Sequence, residues 1–355
     1  MHRPATGLAD KSSMPFVSVV LPIRNEASFI ARSLGAVLAQ DYPSDRMEVV
    51  VADGMSTDST RKLVHAIRAG RANVHLIDNP GKIVPTGLNA AIAQARGEII
   101  VRVDGHCEIA RDYIRRCVEH LLSDGVDGVG GPLETVGVTP VAKVIAVAMS
   151  SRFGVGGSAF RTKSNETMLT DTVAFPAYTR AIIERAGPFD EELVRNQDDE
   201  YNYRLRKLGA KILMSADIRS RYYSRSSLRS LWRQYYQYGY WKVRVMQKHL
   251  QQMKPRQFAP PLFVAVLLLC LLIMPFSAAA GWLFGIVAGS YLVASLAASA
   301  LAARKQDWRL FPLLPLAFAA LHLAYGFGFL VGLIRFWKRW GDHQTRAIDF
   351  EAQGA

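Results

Sequence analysis

Cysteine is scarce in this chain. Cys107, Cys117 and Cys270 stand alone among 355 residues, with no bridging or metal-ligand spacing. That excludes a disulfide scaffold and a zinc-ribbon centre, and it suits a reducing compartment. Neither a Gly-x-Gly-x-x-Gly nor a Walker loop occurs, so a dinucleotide or ATP site is unsupported. Met1–Ser13 has no apolar core, so it is not a secretory signal; residues 1–14 read as a disordered N-terminus. No nucleic-acid motif is present, which argues against a nucleic-acid partner. Acids are almost missing from one block. Between Arg204 and Arg256 there are fourteen Lys and Arg and a single acid, Asp217, a local excess equal to the net charge of +13. Charge of either sign is missing from the interior of three apolar runs, about 258–278, 282–303 and 311–334. Each is near the roughly 20 residues that span a bilayer. A basic block that runs into such segments fits attraction to anionic membrane lipid.

The first hundred residues alternate strand and helix patterns. Phe16–Pro22, Met47–Asp53, Asn73–Ile77 and Glu98–Asp104 read as strands, and helical stretches separate them. This predicts an α/β fold with a parallel, doubly wound sheet. Ligands bind beyond the carboxyl ends of such strands, where Asp53 and Asp104 fall. Asp104 and His106 are two residues apart, so both can project into one cleft. A carboxylate and an imidazole suit a divalent ion such as Mn2+, with a diphosphate oxygen completing its shell. Asp53 can accept from a uracil NH or ribose hydroxyls, or cap its own turn. Lys82, next to Gly81, can reach a diphosphate.

Further along, Ala110–Leu122 and Pro140–Ser151 read as helices and Gly125–Leu133 as a strand. Phe153–Ser158 and the polar run to Thr167 read as a mobile loop. Thr170–Tyr178 is extended, and Asn196–Glu200 opens a helix ending near Gly209. Residues 227–257 are aromatic, cationic and periodic, and predict amphipathic basic helices packed on the preceding domain and lying in the membrane interface. Residues 258–340 predict transmembrane helices, and 341–355 a tail.

Five markers coincide in order: Leu21-Pro22-Ile-Arg24-Asn-Glu26, Ala52-Asp53-Gly-Met-Ser-Thr-Asp58, Gly87-Leu-Asn89, Arg102-Val-Asp104-Gly-His106, and Asn196-Gln197-Asp198-Asp199-Glu200-Tyr-Asn-Tyr-Arg204. On these the chain resembles glycosyltransferase family 2, most closely the succinoglycan-biosynthesis glycosyltransferases of the ExoA type. The resemblance covers about Phe16 to Lys248 and the membrane tail. It implies a GT-A fold over 15–226, a Rossmann-like, mostly parallel sheet that binds a nucleotide-sugar, followed by an α-helical transmembrane region. It implies a donor that is usually UDP-linked, such as UDP-glucose, and Mn2+ or Mg2+ as cofactor. The implied acceptor is a polyprenyl-diphosphate-linked saccharide in exopolysaccharide biosynthesis. Polysaccharide-assembly partners and a bacterial cytoplasmic membrane, with the catalytic domain on its cytoplasmic side, follow from the same likeness. Glu26 and Asp53 match nucleoside-contacting positions; Pro22, Arg24, Lys82, Asn89 and Asp104 complete the donor side. Asp104 and His106 match the metal motif. The Gln197–Arg204 run matches Glu-Asp-x-Glu-Leu-x-x-Arg, which puts the base at Asp198, with Gln197 where Glu is common. Gln234–Trp241 lacks the Gln-x-x-Arg-Trp form of processive synthases, which argues for addition of one sugar.

Helical periodicity separates the acids. Asp198 shares a face with Tyr201, Leu205 and Leu208, expected against the sheet, while Asp199 is turned away by about 100°. Asp199, Trp232 and Trp241 are expected on the acceptor side. Glu200 should pair with Arg204 four residues on. Arg304, Lys305 and Arg309 put the second inter-helix loop in the cytoplasm, and Arg335, Lys338 and Arg339 favour the same side for the tail. Three full spans contradict that, and a break at Gly326 and Gly328 would make the third run re-entrant. His322 is expected to be a hydrogen-bonded packing residue. A catalytically inactive scaffold at the membrane is the competing reading, and Asp104, His106 and Asp198 together argue against it.

Overall fold

The structure, a computed structural model, describes residues 14–345. The expectations for residues 1–13 and 346–355 lie outside the described residues. The chain opens with β1 (Val17–Ile23), α1 (Ile30–Leu38), β2 (Met47–Asp53), α2 (Thr60–Arg68), β3 (Val74–Asp78), α3 (Val84–Gln94) and β4 (Ile99–Arg102). Every residue of β1 and β2 is buried. Continuous apolar runs of this kind are what parallel strands covered on both faces require. Val17, Val19 and Leu21 pack with α1 on one face, and Val20 packs with Leu88 and Ala91 of α3 on the other.

The chain continues through β5 (Cys107–Ile109), α4 (Tyr113–Ser123), β6 (Gly128–Gly131), β7 (Leu133–Val136), α5 (Pro140–Met149), α6 (Arg152–Val155), α7 (Ala159–Thr162), β8 (Met168–Leu169) and β9 (Ala174–Thr179). Then come α8 (Arg180–Ala186), α9 (Gln197–Lys207), β10 (Ile212–Met214) and β11 (Ser220–Tyr223). The main sheet has the order β3-β2-β1-β4-β9-β6-β10-β8, and a second small sheet the order β5-β11-β7. The sheet is mixed, not wholly parallel: β9 lies antiparallel between β4 and β6. The strand expected at Gly125–Leu133 is two strands in two sheets. Pro132 separates them, since it cannot donate to a ladder. The loop expected after Phe153 is instead held by α6 and α7.

Four helices follow: α10 (Leu228–Lys248), α11 (Ala259–Ile273), α12 (Ala278–Lys305) and α13 (Leu314–Arg335). Three apolar stretches, Pro255–Ile273, Ala278–Lys305 and Trp308–Arg335, are long and apolar enough to cross a membrane. Helix α10 is packed as expected, with Arg229 and Arg233 exposed and its later cations turned inward. Lys242, Arg244 and Lys248 are buried. They pair with Asp199, Glu192 and Asp190 respectively. A buried cation without a partner is costly, so these three face inward to acids the sequence holds far away.

Helix α13 is unbroken through Gly326 and Gly328, which overturns the expected kink. Those glycines serve close approach. A Cβ on Gly328 would stand 2.0 Å from the Tyr236 carbonyl oxygen of α10, and one on Gly239 2.0 Å from that of Tyr325 in α13. Both ends of α13 are fastened to the α/β domain. Near its start Phe318 meets Phe153 edge-on at 5.0 Å, and His322 Nε2 lies 2.8 Å from the Phe153 carbonyl oxygen. Beyond its end Arg339 reaches Glu192 of that domain at 2.6 Å, while Gln247 of α10 donates to the Phe336 carbonyl at 2.8 Å.

Candidate active site

Register aligns the strand ends. Ile23 is level with Asp53, and Asp53 with Asp78, while Val20 is level with Arg102. Asp104 therefore emerges beside Pro22 at the carboxyl edge. A cleft of about 930 Å³ opens there, lined by Pro22, Arg24, Glu26, Lys82, Asp104, His106, Asp198 and Asp199. Its far wall includes Pro260 of α11 and Leu321, His322 and Tyr325 of α13.

Arg102 grips Asp104 with two nitrogens, at 3.0 and 3.3 Å. Burial alone would raise the Asp104 pKa, but the Arg102 charge outweighs it and the carboxyl is held below the ordinary value. Burial likewise opposes the Arg102 cation, yet Asp104 first and Asp198 next hold its pKa above the usual range. The guanidinium touches Asp104 alone and feels Asp198 at longer range. Arg102 was not singled out from sequence; its position two residues before Asp104 on a strand puts both on one face.

His106 Nδ1 lies 2.8 Å from Glu26 Oε1. A carboxylate on one ring nitrogen leaves Nε2 to face a metal, the usual support for a ligating histidine. Asp104 oxygen and His106 nitrogen fit Mn2+ or Mg2+ as a partial donor set. Among the described residues no three His, Cys, Asp or Glu side chains form a metal-holding group.

Backbone strain marks the same rim. The described non-glycine residues with positive φ are Asn25, Met55, Lys82, Phe175 and Asn196. Four of them line the cleft, and Met55 follows Asp53 by two residues. Strained torsions collect where a loop is held to a shape that local preference opposes. Sequence reasoning had no signal for these except the asparagines, which tolerate the left-handed region.

Not every expected residue reaches the cleft. Asp53 is fully buried and accepts from Ser56 and Arg61, so its side chain shapes the turn. Asn89 holds both backbone polar groups of Phe189, at 2.8 and 2.9 Å. Trp232 leans toward Phe327, and Trp241 lies between Tyr240 and Phe336. Neither tryptophan lines the cleft; the stripe of α10 that does is Gln234, Tyr235, Tyr238 and Lys242. The acids of α9 also depart from the faces that helical periodicity predicts. Tyr201 and Leu205 are buried as expected, but Leu208 is 40% exposed and Asp198 is exposed into the cleft. Asp198 sits in the first helical turn, where its face has not yet closed on the sheet. Asp199 is not turned away either; it lines the cleft while pairing with Lys242. Glu200 pairs with Arg204 at 2.6 Å as expected, and is fully buried.

Comparison with known proteins agrees with this geometry. A family model described as glycosyl transferase family 2 matches residues 18–186. The succinoglycan biosynthesis protein ExoA of Rhizobium meliloti (strain 1021) is 32% identical over 335 residues, covering 90% of this chain and 96% of that protein. A dolichyl N-acetyl-alpha-D-glucosaminyl phosphate 3-beta-D-2,3-diacetamido-2,3-dideoxy-beta-D-glucuronosyltransferase of Methanococcus voltae is 28% identical, covering 64% of this chain and 72% of that one. The mannosyltransferase PcManGT from Pyrobaculum calidifontis, solved in complex with GDP-Man and Mn2+, superposes with a TM-score of 0.54 at 22% identity, over 90% of this chain and 89% of that one. A likeness at that identity speaks for the fold. An α/β sheet with acids gathered at its carboxyl edge, and a relative matched along nearly its whole length, establish that the chain belongs to glycosyltransferase family 2, with the GT-A fold.

Proposed function

We propose that this glycosyltransferase is a membrane-bound, inverting enzyme that moves one sugar from a UDP-linked donor to a polyprenyl-diphosphate-linked saccharide in exopolysaccharide biosynthesis. The observation that carries the reading is the make-up of the cleft. Asp104, His106 and Asp198 share it with Pro260, Leu321 and Tyr325 from the apolar helical region. A polar reaction centre walled by such helices suits an acceptor whose head is a sugar and whose tail is a lipid. The catalytic domain takes the cytoplasmic side, beside the basic loop of Arg304, Lys305 and Arg309.

Donor contacts fall to Pro22, Arg24, Glu26 and Lys82 at the strand ends, with Asp53 and Asn89 holding the surrounding loops. Asp104 and His106 would hold Mn2+ or Mg2+. That ion supplies Lewis-acid neutralisation of the leaving diphosphate. Asp198 takes the proton of the acceptor hydroxyl as its oxygen attacks the anomeric carbon from the face opposite the departing nucleotide. Its Oδ1 accepts the Asp199 backbone N–H at 2.9 Å, which orients the carboxylate at the start of α9.

The test is to incubate membranes that carry the enzyme with a panel of radiolabelled nucleotide sugars and then extract lipid. One UDP-sugar should label the lipid fraction, EDTA should abolish the signal, and Mn2+ or Mg2+ should restore it. Asp198→Asn should lower turnover about 100-fold or more while UDP binding is kept. No lipid-borne label from any donor, or near-native turnover in Asp198→Asn, would refute the reading.

A further inference from the structure

Six of the fourteen cations in the 204–256 block have a carboxylate partner: Arg204 with Glu200, Arg221 with Glu134, Lys242 with Asp199, Arg244 with Glu192, Lys248 with Asp190 and Lys254 with Asp171. Two others from that block, Arg225 and Arg256, line the cleft, and so does Arg161 from α7. None of these three has a carboxylate partner among the described residues. Arg161 makes a 3.4 Å contact to the Thr135 hydroxyl and lies over the rings of Phe160 and Tyr222. Arg256 lies against the glycines of the Phe153–Ser158 loop, where a Cβ on Gly157 would stand 2.7 Å from its Nη1. A side chain at Gly157 would make this guanidinium shift.

Arg256 lies where the cleft meets the apolar helices, and Arg161 and Arg225 line the same cleft beside Tyr222. The Tyr222 ring lies 5.2 Å from the His106 ring, and Arg161 is 5.8 Å from the Tyr222 centroid on its own contact. One aromatic ring thus separates this cationic group from the donor-side histidine. Burial raises the Tyr222 pKa, with Tyr238 adding to the rise, while Arg225 and Arg161 both oppose it, so the two arginines act on one spot. Arg256 precedes α11 by three residues, and Pro260, Leu321 and Tyr325 continue the wall beyond it. Guanidinium groups left free of carboxylates in a cleft are matched by phosphate oxygens, which they bind with paired N–H donors.

We propose that Arg161, Arg225 and Arg256 form an anion subsite, separate from the donor's, that takes a phosphate or diphosphate ester carried on a lipid tail, with the tail leaving along Pro260, Leu321 and Tyr325. The inference rests on the reading of this cleft as a donor–acceptor site. The ester can come from a polyprenyl-linked acceptor or from a membrane phospholipid headgroup.

The test uses the full chain in phosphatidylcholine nanodiscs with saturating UDP, so that the donor pocket is filled. Farnesyl diphosphate is titrated in one arm, farnesol in a second, and phosphatidylglycerol replaces part of the lipid in a third, with thermal stability as the readout. Farnesyl diphosphate should stabilise the protein and farnesol should not. Arg161→Gln, Arg225→Gln and Arg256→Gln combined should weaken that binding about tenfold or more, and the three Lys replacements should restore part of it. A phosphatidylglycerol effect lost in the same variant supports the subsite and assigns it to headgroups. The UDP-induced shift reports folding and the donor pocket. If Gln variants that still respond to UDP bind both phosphate probes as tightly as the native chain, the subsite is wrong. If the native chain responds to no nucleotide, the glycosyl-transfer reading fails instead.

Discussion

Helices α12 and α13 have nearly the same mean hydropathy, 1.8 and 1.9 over their most apolar windows, yet 17% of one window and 50% of the other is buried against protein. The α11–α12 hairpin exposes its tip, with Phe276 89% and Trp282 76% accessible. Helix α13 instead lies against α10, α5 and the Phe153 loop. Hydropathy reports how strongly a segment avoids water; it does not report whether lipid or protein takes the water's place. The two helices differ in a subtler feature, the use of their glycines. Gly285 and Gly289 of α12 have open space around them, whereas Gly326, Gly328 and Gly332 of α13 each touch a neighbouring helix.

The largest expected effect breaks that contrast directly. Gly328→Leu should separate α10 from α13 and yield no folded protein, because its Cβ would meet backbone at 2.0 Å. Gly285→Leu, with nothing within 4 Å, should stay within about 0.5 kcal/mol of the native chain. Thermal unfolding of both variants in one detergent checks this, and equal stabilities would erase the distinction. Next in size is the clamp beyond α13. Arg244 is fully buried and holds Glu192 at 2.7 and 3.0 Å. Arg244→Ala should cost about 2–3 kcal/mol, since it removes the two-nitrogen grip on a half-buried carboxylate that Lys248 and Arg339 still hold. A loss below 1 kcal/mol in denaturant titration would show that the clamp is idle.

The same clamp sets a smaller, pH-dependent effect. Burial would raise the Glu192 pKa, but Arg244 and Lys248 outweigh burial and bring it from 4.5 to about 2. A depressed carboxylate stabilises the fold above its ordinary pKa, and the gain is lost as pH falls from about 4.5 toward about 2. Denaturation midpoints should fall over that window, and the fall should shrink in Glu192→Gln. The smallest effect leaves stability untouched and reads orientation. Both ends of α13 are fastened to the catalytic domain, so Gln306 and Gln344 should lie on the domain's side of the membrane. Single cysteines there should react with an impermeant maleimide only from the cytoplasmic face; the native cysteines are buried. Labelling of Gln344→Cys from the opposite face would mean that α13 crosses.

Much of the site was legible because local chemistry marked it. Asp104 and His106 follow a run of buried β-branched residues, and the alternation of strands with helices placed their edge of the sheet. The acids of α9 were harder. A helical wheel assumes that the whole turn is packed, but the first turn projects beyond the sheet, so Asp198 faces the cleft and Asp199 meets a lysine 43 residues away. The tryptophans of α10 failed for a related reason: amphipathic aromatics mark a packed face without naming the neighbour.

By itself the sequence determined the α/β class, the family, the strand edge that carries the acids and the existence of three long apolar helices. These depend on periodicity, composition and short motifs, all of which are local properties of the chain. Only the tertiary structure decided that β9 runs antiparallel, that Lys242, Arg244 and Lys248 turn inward, that α13 is half covered by protein, and that Arg161, Arg225 and Arg256 face one cleft with no carboxylate partner among the described residues. Each of these depends on which distant segment arrives opposite a given side chain. A charge carries no sign of its partner until the chain has folded, and the low dielectric that makes pairing decisive exists only once both are buried.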